Sequence, residues 1–193
     1  MIRVVEVIAT AVREVMKEGR SLDQVTSFWL KQNRGWTREQ KGFFAETLAG
    51  TIRWWRLLDE LKFVTPVNYG SEYHSAVINY MALNYSRGVT QGLISADLQT
   101  KIKNTIASRP LSRAIRESIP DWLDEVGDSE LGLRWEPELK ALNTVPSIVV
   151  RVNTLKGSRQ ELLAWFKREG ILAEAMDTPD AIRIVERTNI YSS

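Results

Sequence analysis

The sequence predicts a mainly α fold, a helical bundle followed by a small α+β unit of β-α-β-β order. Three observations carry this expectation. Apolar residues recur at helical spacing from residue 2 to about 144. After Pro146 that period gives way to the β-branched run "SIVVRVN". A Ser-capped amphipathic segment with a Gly stop then precedes two short apolar runs on either side of "DTPD".

Residues 2–18 place Val4, Ile8, Ala11, Val12, Val15 and Met16 at i, i+3, i+4 spacing, so the first helix buries one stripe, and Gly19 closes it. Ser21 caps a second helix with Leu22, Val25, Phe28 and Trp29 directed inward and Gly35 at its end. "TREQ" is a capping box, Thr37 with Gln40 three residues on, and the third helix it opens is expected to run to about Phe63. Pro66 and Gly70 break the chain before a helix over about 72–85, and 86–110 is expected to hold one helix with Leu98, Ile102 and Ile106 on one side. Ser112 starts a short helix, Pro120 stands as a first-turn proline before "DWLDEVGDSELG", and "EPELKALN" adds another helix.

In the terminal unit, Ser158 and Glu161 form a second capping box, and the helix they open is expected to bury Leu162, Leu163, Trp165 and Phe166 until Gly170 stops it. "ILAEAM" and "AIRIV" read as two strands of a hairpin. Three short strands and one helix bury little apolar surface, so this unit is expected to lean on the helices or on sequence beyond these residues. The organisation implied is a helical domain at 1–119, an acidic helical connector at 120–145 and the small unit at 146–193.

Composition narrows the chemistry. No apolar run reaches the roughly 18 residues that span a bilayer, and the charged amphipathic start is not a signal peptide, so a cytoplasmic protein with no membrane contact is expected. The 193 residues contain no Cys and a single His, His74, which excludes disulfides, thiolate nucleophiles, Cys-ligated metal and a His-based relay, and no metal site is expected. His74 itself reads as a surface or internally bonded histidine. Formal net charge is +2, but residues 1–119 hold 17 basic and 11 acidic side chains, 120–144 hold 2 and 7, and 145–193 hold 7 and 6. A basic helical body suits a polyanionic partner, and a short acidic segment follows it.

Two stretches carry a family resemblance. "PSIVVRVNTLKGSRQELLAWFKREGI", with "IPDWL" ahead of it, resembles the segment that introduces the catalytic portion of RNA 5-methylcytosine methyltransferases of the Sun/Fmu (RsmB) family, matching at Pro146, Arg151, Asn153, Thr154, Leu155 and Lys156. "ETLAGTIRWWRLLDEL" looks like the Gly-Thr-Leu-Arg-Trp helix of the NusB-like RNA-binding domain of bacterial members, at Gly50, Thr51, Ile52, Arg53 and Trp54, with Ile in place of Leu. Residues 66–110 depart from the family pattern, with "GVTQGLISADLQTKIKN" where an Ala-Val-Asn-Glu-Ala stretch is usual.

The resemblance implies a NusB-like helical bundle, ribosomal RNA of the small subunit as partner, and methyl transfer from S-adenosylmethionine to cytosine C5 by a pair of cysteines. This chain has no cysteine and no Gly-rich loop following a strand, so no catalytic and no cofactor-binding residue is assigned. S-adenosylmethionine is expected for the parent protein only. The chain is accordingly expected to be the non-catalytic N-terminal part of a longer enzyme, touching a C-terminal methyltransferase domain that lies outside these residues.

Phosphate contacts by Lys and Arg dominate RNA affinity, so basic side chains on one face are the candidates. Projected at 100° per residue from Arg38, Ala45, Ala49, Arg53 and Arg56 fall within about 60° of it, with Lys41 at the edge. Charge pattern alone favours a solvated helix face, and the resemblance brings the RNA reading level with it. Arg151 and Lys156 are further candidates near the catalytic region; Arg151 shares the face of Val149 and lies at an edge or meets a carboxylate, whereas Asn153 is expected to fix the turn through backbone bonds. Trp54 and Trp55 cannot share a helical face, and packing is expected for both. Two other readings remain at this point: a free-standing NusB-like module binding RNA or protein in transcription antitermination, and a helical interaction module without nucleic acid.

Overall fold

The computed structural model describes residues 2–65 and 70–185, and the chain divides into two compact units, 1–140 and 141–193. The helices are α1 (Ile2–Met16), α2 (Leu22–Gln32), α3 (Arg38–Arg53), α4 (Trp55–Asp59), α5 (Glu72–Asn84), α6 (Arg87–Thr90), α7 (Ala96–Ser108), α8 (Arg113–Arg116), α9 (Asp121–Leu131) and α10 (Trp135–Asn143), the last running across the division. The strands are β1 (Ile148–Arg151), β2 (Ala173–Ala175) and β3 (Ala181–Ile184), with α11 (Arg159–Arg168) between the first two. The mainly α fold with a small β-α-β-β unit is the one the periodicities predict.

In the helical unit α1 is the hub, packed on α2, α3 and α5. Its stripe of Val4, Ile8, Ala11 and Val12 meets Val25, Phe44, Leu48, Val77, Met81 and Ile102 in one core. Each large apolar side chain fully buried there contributes on the order of 1.5–3 kcal/mol. The caps form as expected. Ser21 Oγ accepts the Gln24 N–H, and the Thr37–Gln40 box closes in both directions at 3.2 and 3.0 Å. Gly19 takes φ +70°, a left-handed conformation in which a side chain would be strained.

Four expectations are corrected. The third helix does not continue to Phe63; it ends at Arg53, and Trp54, at φ −100° and ψ 18°, separates it from α4. The Arg56 N–H bonds Ser118 Oγ at 3.2 Å in place of a helical carbonyl. Residues 86–110 hold two helices, because Gly92 turns the chain at φ +77° and Ser95 caps α7, whose Gln99 is buried with its amide donating to the carbonyls of Ala82 and Tyr85. Phe28 is exposed, edge-on to Trp29 and beside the Arg20 guanidinium, since Trp29 reaches back to Glu14 through its indole N–H at 3.2 Å. Pro120 is the cap of α9 rather than its first residue. Gly70 adopts φ +94° as a chain break should, whereas Pro66 lies outside the described residues.

Residues 121–140 pack with the helical unit: Ala114, Ile119, Trp135 and Leu139 form a cluster with Leu123 against it, and the compact units divide inside α10. Gly127 has no side chain because the Trp135 indole occupies the place of one.

In the second unit β3 lies between β1 and β2, antiparallel to both. The register pairs Ile148 with Ile184 and Val150 with Ile182 on β1 and β3, and Ala173 with Ile184 on β2 and β3. Those residues share the face that α11 covers with Phe166, Leu162 and Leu163. The Ser158–Glu161 box opens α11, and Gly170 at φ +70° ends it. β2 and β3 form the hairpin predicted around "DTPD".

Candidate nucleic-acid interface

From Arg38 to Arg53, α3 is one straight run of about 22 Å at 1.5 Å per residue. Phe44, Thr47, Leu48 and Thr51 face the core, which fixes the direction of the opposite side. Arg38 is exposed there, Lys41 is half-buried beside the core-facing Leu48 seven residues on, and neither side chain is paired with a described residue. Ala45 and Ala49 lie between them and Arg53. Gly42 belongs to the same face, with nothing within 4 Å of where its Cβ would stand, so the surface beside Arg38 is open. Sequence reasoning passed over Gly42; its only signal was a 40° offset from Arg38 in the same projection. The exposed Glu46 and Glu39 share this side, about 20° and 40° from Arg53 in the same projection, and limit its positive character.

Arg53 and Arg56 are placed differently from Arg38. Arg53 donates from Nη1 to the Ser118 carbonyl at 3.1 Å and its guanidinium lies 5.2 Å from the Trp54 ring. Arg56 donates to the Ile119 carbonyl and, from Nη2, to both Asp121 oxygens at 2.9 and 3.2 Å. Both arginines thus bind the turn between α8 and α9, where Ser118 takes a left-handed φ of 53°. Arg53 retains free donors on its exposed side, and Arg56 spends most of its fork inside the protein.

The Gly50-Thr51-Ile52-Arg53-Trp54 stretch has a packing account. The Tyr80 ring occupies the space of a Gly50 side chain, and Thr51 Oγ1 donates to the Thr47 carbonyl at 2.7 Å. Thr47 Oγ1 lies 2.9 Å from the Tyr85 hydroxyl, and burial, reinforced by the charge of Glu46, pushes the Tyr85 phenol up to about 12 despite the Thr47 bond. Trp54 and Trp55 are both half-buried, Trp55 with its ring centroid 5.7 Å from that of Tyr73.

In the second unit Arg151 ends the edge strand β1 on the face of Val149, exposed and unpaired among the described residues. Lys156 is exposed in the following turn. Asn153 fixes that turn: its Oδ1 accepts the Leu155 N–H at 3.1 Å and its carbonyl accepts the Lys156 N–H at 2.9 Å. Arg38, Lys41, Arg53 and Arg56 therefore belong to the helical unit, and Arg151 and Lys156 to the other.

His74 joins α5 to α1, its Nε2 2.8 Å from Glu6 and its Nδ1 3.0 Å from Ser71 Oγ. Ser71 lies three residues before His74, where a helix-start hydroxyl ordinarily meets a side chain of the first turn, so the trio reads as a tie between helices. Among the described residues no group of three His, Cys, Asp or Glu could hold a metal ion, and no helix is long and apolar enough to cross a membrane. The open trough between α11 and β2, about 500 Å³, is lined chiefly by Leu163, Lys167, Leu172 and Glu174 and lacks the convergent polar groups of a cofactor pocket.

Residues 119–191 match the family model of the ferredoxin-like domain of RsmF/B-like methyltransferases. The match takes in α9, α10 and the strands, and with them both "IPDWL" and "RVNTLK". The crystal structure of PH0851 is similar over 98% of this chain and 50% of its own, with a TM-score of 0.58 at 15% identity, a likeness of fold. This chain spans about half the length of that protein. No curated protein matches the sequence.

Proposed function

We propose, from the match of residues 119–191 to the RsmF/B-like ferredoxin-like domain, that this chain is the RNA-binding N-terminal region of an S-adenosylmethionine-dependent ribosomal RNA cytosine-C5 methyltransferase. That match is the observation that carries the reading. The absence of any cysteine supports a non-catalytic role for these 193 residues, since nucleophilic attack on cytosine C6 needs a thiolate. The cofactor and the reacting base belong to a further half of the polypeptide, and the whole works in the cytoplasm on small-subunit ribosomal RNA.

In this reading the helical unit is a NusB-like domain whose α3 face meets phosphates. Arg38 and Lys41 supply unpaired charge, Gly42, Ala45 and Ala49 let a backbone approach, and Arg53 adds its free donors. Arg56 acts through the 118–121 turn, which it holds. Arg151 and Lys156 contact RNA from the second unit.

Two measurements test this. The coding sequence should continue past Ser193 into a Gly-rich cofactor loop and Cys-containing motifs; a stop codon there returns the chain to a free-standing module. Binding to ribosomal RNA fragments should weaken steeply with salt, and Arg38→Ala/Lys41→Ala should reduce the log–log slope by about 2. Salt-independent or absent binding would assign the helices to protein contacts instead.

A further inference from the structure

Tyr80 of α5 is 7% exposed, with its ring among Leu58, Ala76 and the half-buried Trp54. Its hydroxyl end runs out of that cluster into the space of a Gly50 side chain, so the missing Cβ makes a notch in α3 and the phenol fills it. A phenol so buried ordinarily finds a partner for its O–H. The neighbouring Tyr85, at 6.0 Å between ring centroids, has one in Thr47 Oγ1. The Tyr80 hydroxyl has none among the described residues, yet it is not sealed from solvent. Glu46 stands four residues before Gly50 and Arg53 three after, spacings at which side chains on a helix are neighbours. Both are exposed, and Glu46 is likewise unpaired among the described residues.

We propose that the Tyr80 hydroxyl and the Glu46 carboxylate together hold one ribose 2′-hydroxyl of the bound RNA, with an adjoining phosphate on Arg53. The inference rests on the reading above, in which α3 meets RNA. Burial, and then the charge of Glu46, push the Tyr80 phenol up, so the group is a donor at neutral pH. A phosphate oxygen is repelled beside a carboxylate, whereas a hydroxyl donates to Glu46 and accepts from Tyr80 at once. In the sugar–phosphate backbone the 2′-hydroxyl has both capacities, and DNA lacks it. Arg38 and Lys41 meet phosphates that RNA and DNA share, so the Gly50 notch is where this face tells one from the other.

Single 2′-deoxy substitutions test this on the small-subunit ribosomal RNA fragment that the chain binds most tightly, because each such probe keeps every base and phosphate. One deoxy position should weaken binding to the unaltered chain by roughly 2–10-fold, the weight of one net hydrogen bond. Tyr80→Phe keeps the ring in the notch; it should bind the all-ribose fragment more weakly by a similar factor and lose its response to that one position. Its salt dependence should stay that of the unaltered chain, unlike that of Arg38→Ala/Lys41→Ala, since no charge is removed. Its thermal midpoint should not fall, because the hydroxyl gives up no partner inside the protein. Glu46→Ala should lose the response to the same position, whatever the removal of a negative charge adds to overall affinity.

Equal binding of the all-ribose fragment by Tyr80→Phe and the unaltered chain overturns the proposal and leaves the methyltransferase reading standing; the hydroxyl then meets water alone. A loss in Tyr80→Phe that spares its response to every deoxy position assigns the hydroxyl to a phosphate or a base, and a lowered thermal midpoint assigns it to the fold; either result overturns the proposal. Absence of salt-dependent binding by any fragment removes the RNA reading of α3 and this proposal with it.

Discussion

The Arg56 guanidinium donates to both carboxylate oxygens of Asp121, at 2.9 and 3.2 Å, across 65 residues of chain. The same side chain reaches the Ile119 carbonyl, and its backbone N–H takes Ser118 Oγ. One arginine thereby fastens the start of α9 to the junction of α3 and α4. The two bonds differ in weight, because Asp121 is largely exposed and an exposed ion pair contributes about 0–1 kcal/mol. Asp121→Asn should accordingly leave the urea midpoint almost unchanged. Arg56→Ala leaves the Ile119 carbonyl without its donor and should cost about 1–3 kcal/mol. Equal losses for the two variants would contradict this division.

Gly50 should not accept alanine. The Tyr80 ring stands where the new methyl would go, and overpacking a filled core costs roughly 1–3 kcal/mol. Tyr80→Leu in the Gly50→Ala background should recover part of that loss by making room, as thermal unfolding of the four variants of the cycle would reveal.

Asp124 makes the α8–α10 cluster sensitive to acid. Burial alone would raise its carboxyl, but hydrogen bonds from Arg113 at 2.6 Å and the Trp135 indole at 2.8 Å outweigh it and hold the group below its ordinary 3.8. A depressed carboxyl contributes stability that is present above the unfolded value and lost as pH falls through the folded one. Trp135 fluorescence should therefore report loosening of this cluster below about pH 3.8. Asp124→Asn should flatten that dependence, and a pH response unchanged in this variant would place its origin elsewhere.

Tyr85 governs the alkaline side. Its phenol, raised by burial to about 12 from 10.0, stays protonated in the folded protein where an unfolded chain would ionise. Stability should be complete below pH 10 and decline as pH rises toward 12. Ultraviolet titration should find a late component to which Tyr85 contributes beside Tyr73 and Tyr80, both also raised by burial, and Tyr85→Phe should shrink it while leaving Thr47 without its partner.

Much of the local structure was legible because its causes are local. Thr37 with Gln40 and Ser158 with Glu161 satisfy helix-start N–H groups within four residues of chain, and both boxes form. The face of Arg151, the Asn153 turn and the β2–β3 hairpin follow likewise from alternation and turn chemistry. Two departures and one pairing share a different origin. The end of α3 at Trp54, the outward turn of Phe28 and the internal bonds of Arg53 and Arg56 depend on Ser118, Glu14 and Asp121, residues 14 or more positions away that no window reveals. The split of 86–110 was nearer to hand, since Gly92 and Ser95 are ordinary stop and start signals.

By itself the sequence determined that the chain is mainly helical, that a β-α-β-β unit follows Pro146 and that no thiol chemistry occurs in it, because periodicity, capping and composition are properties of short stretches or simple counts. Only the tertiary structure decided which arginines are free. Arg38 is exposed and unpaired among the described residues while Arg56 is drawn into the 118–121 turn, and charge alone does not distinguish them. A guanidinium goes to whichever carbonyls and carboxylates the fold brings within about 3 Å, and that choice is made by packing between elements distant in sequence.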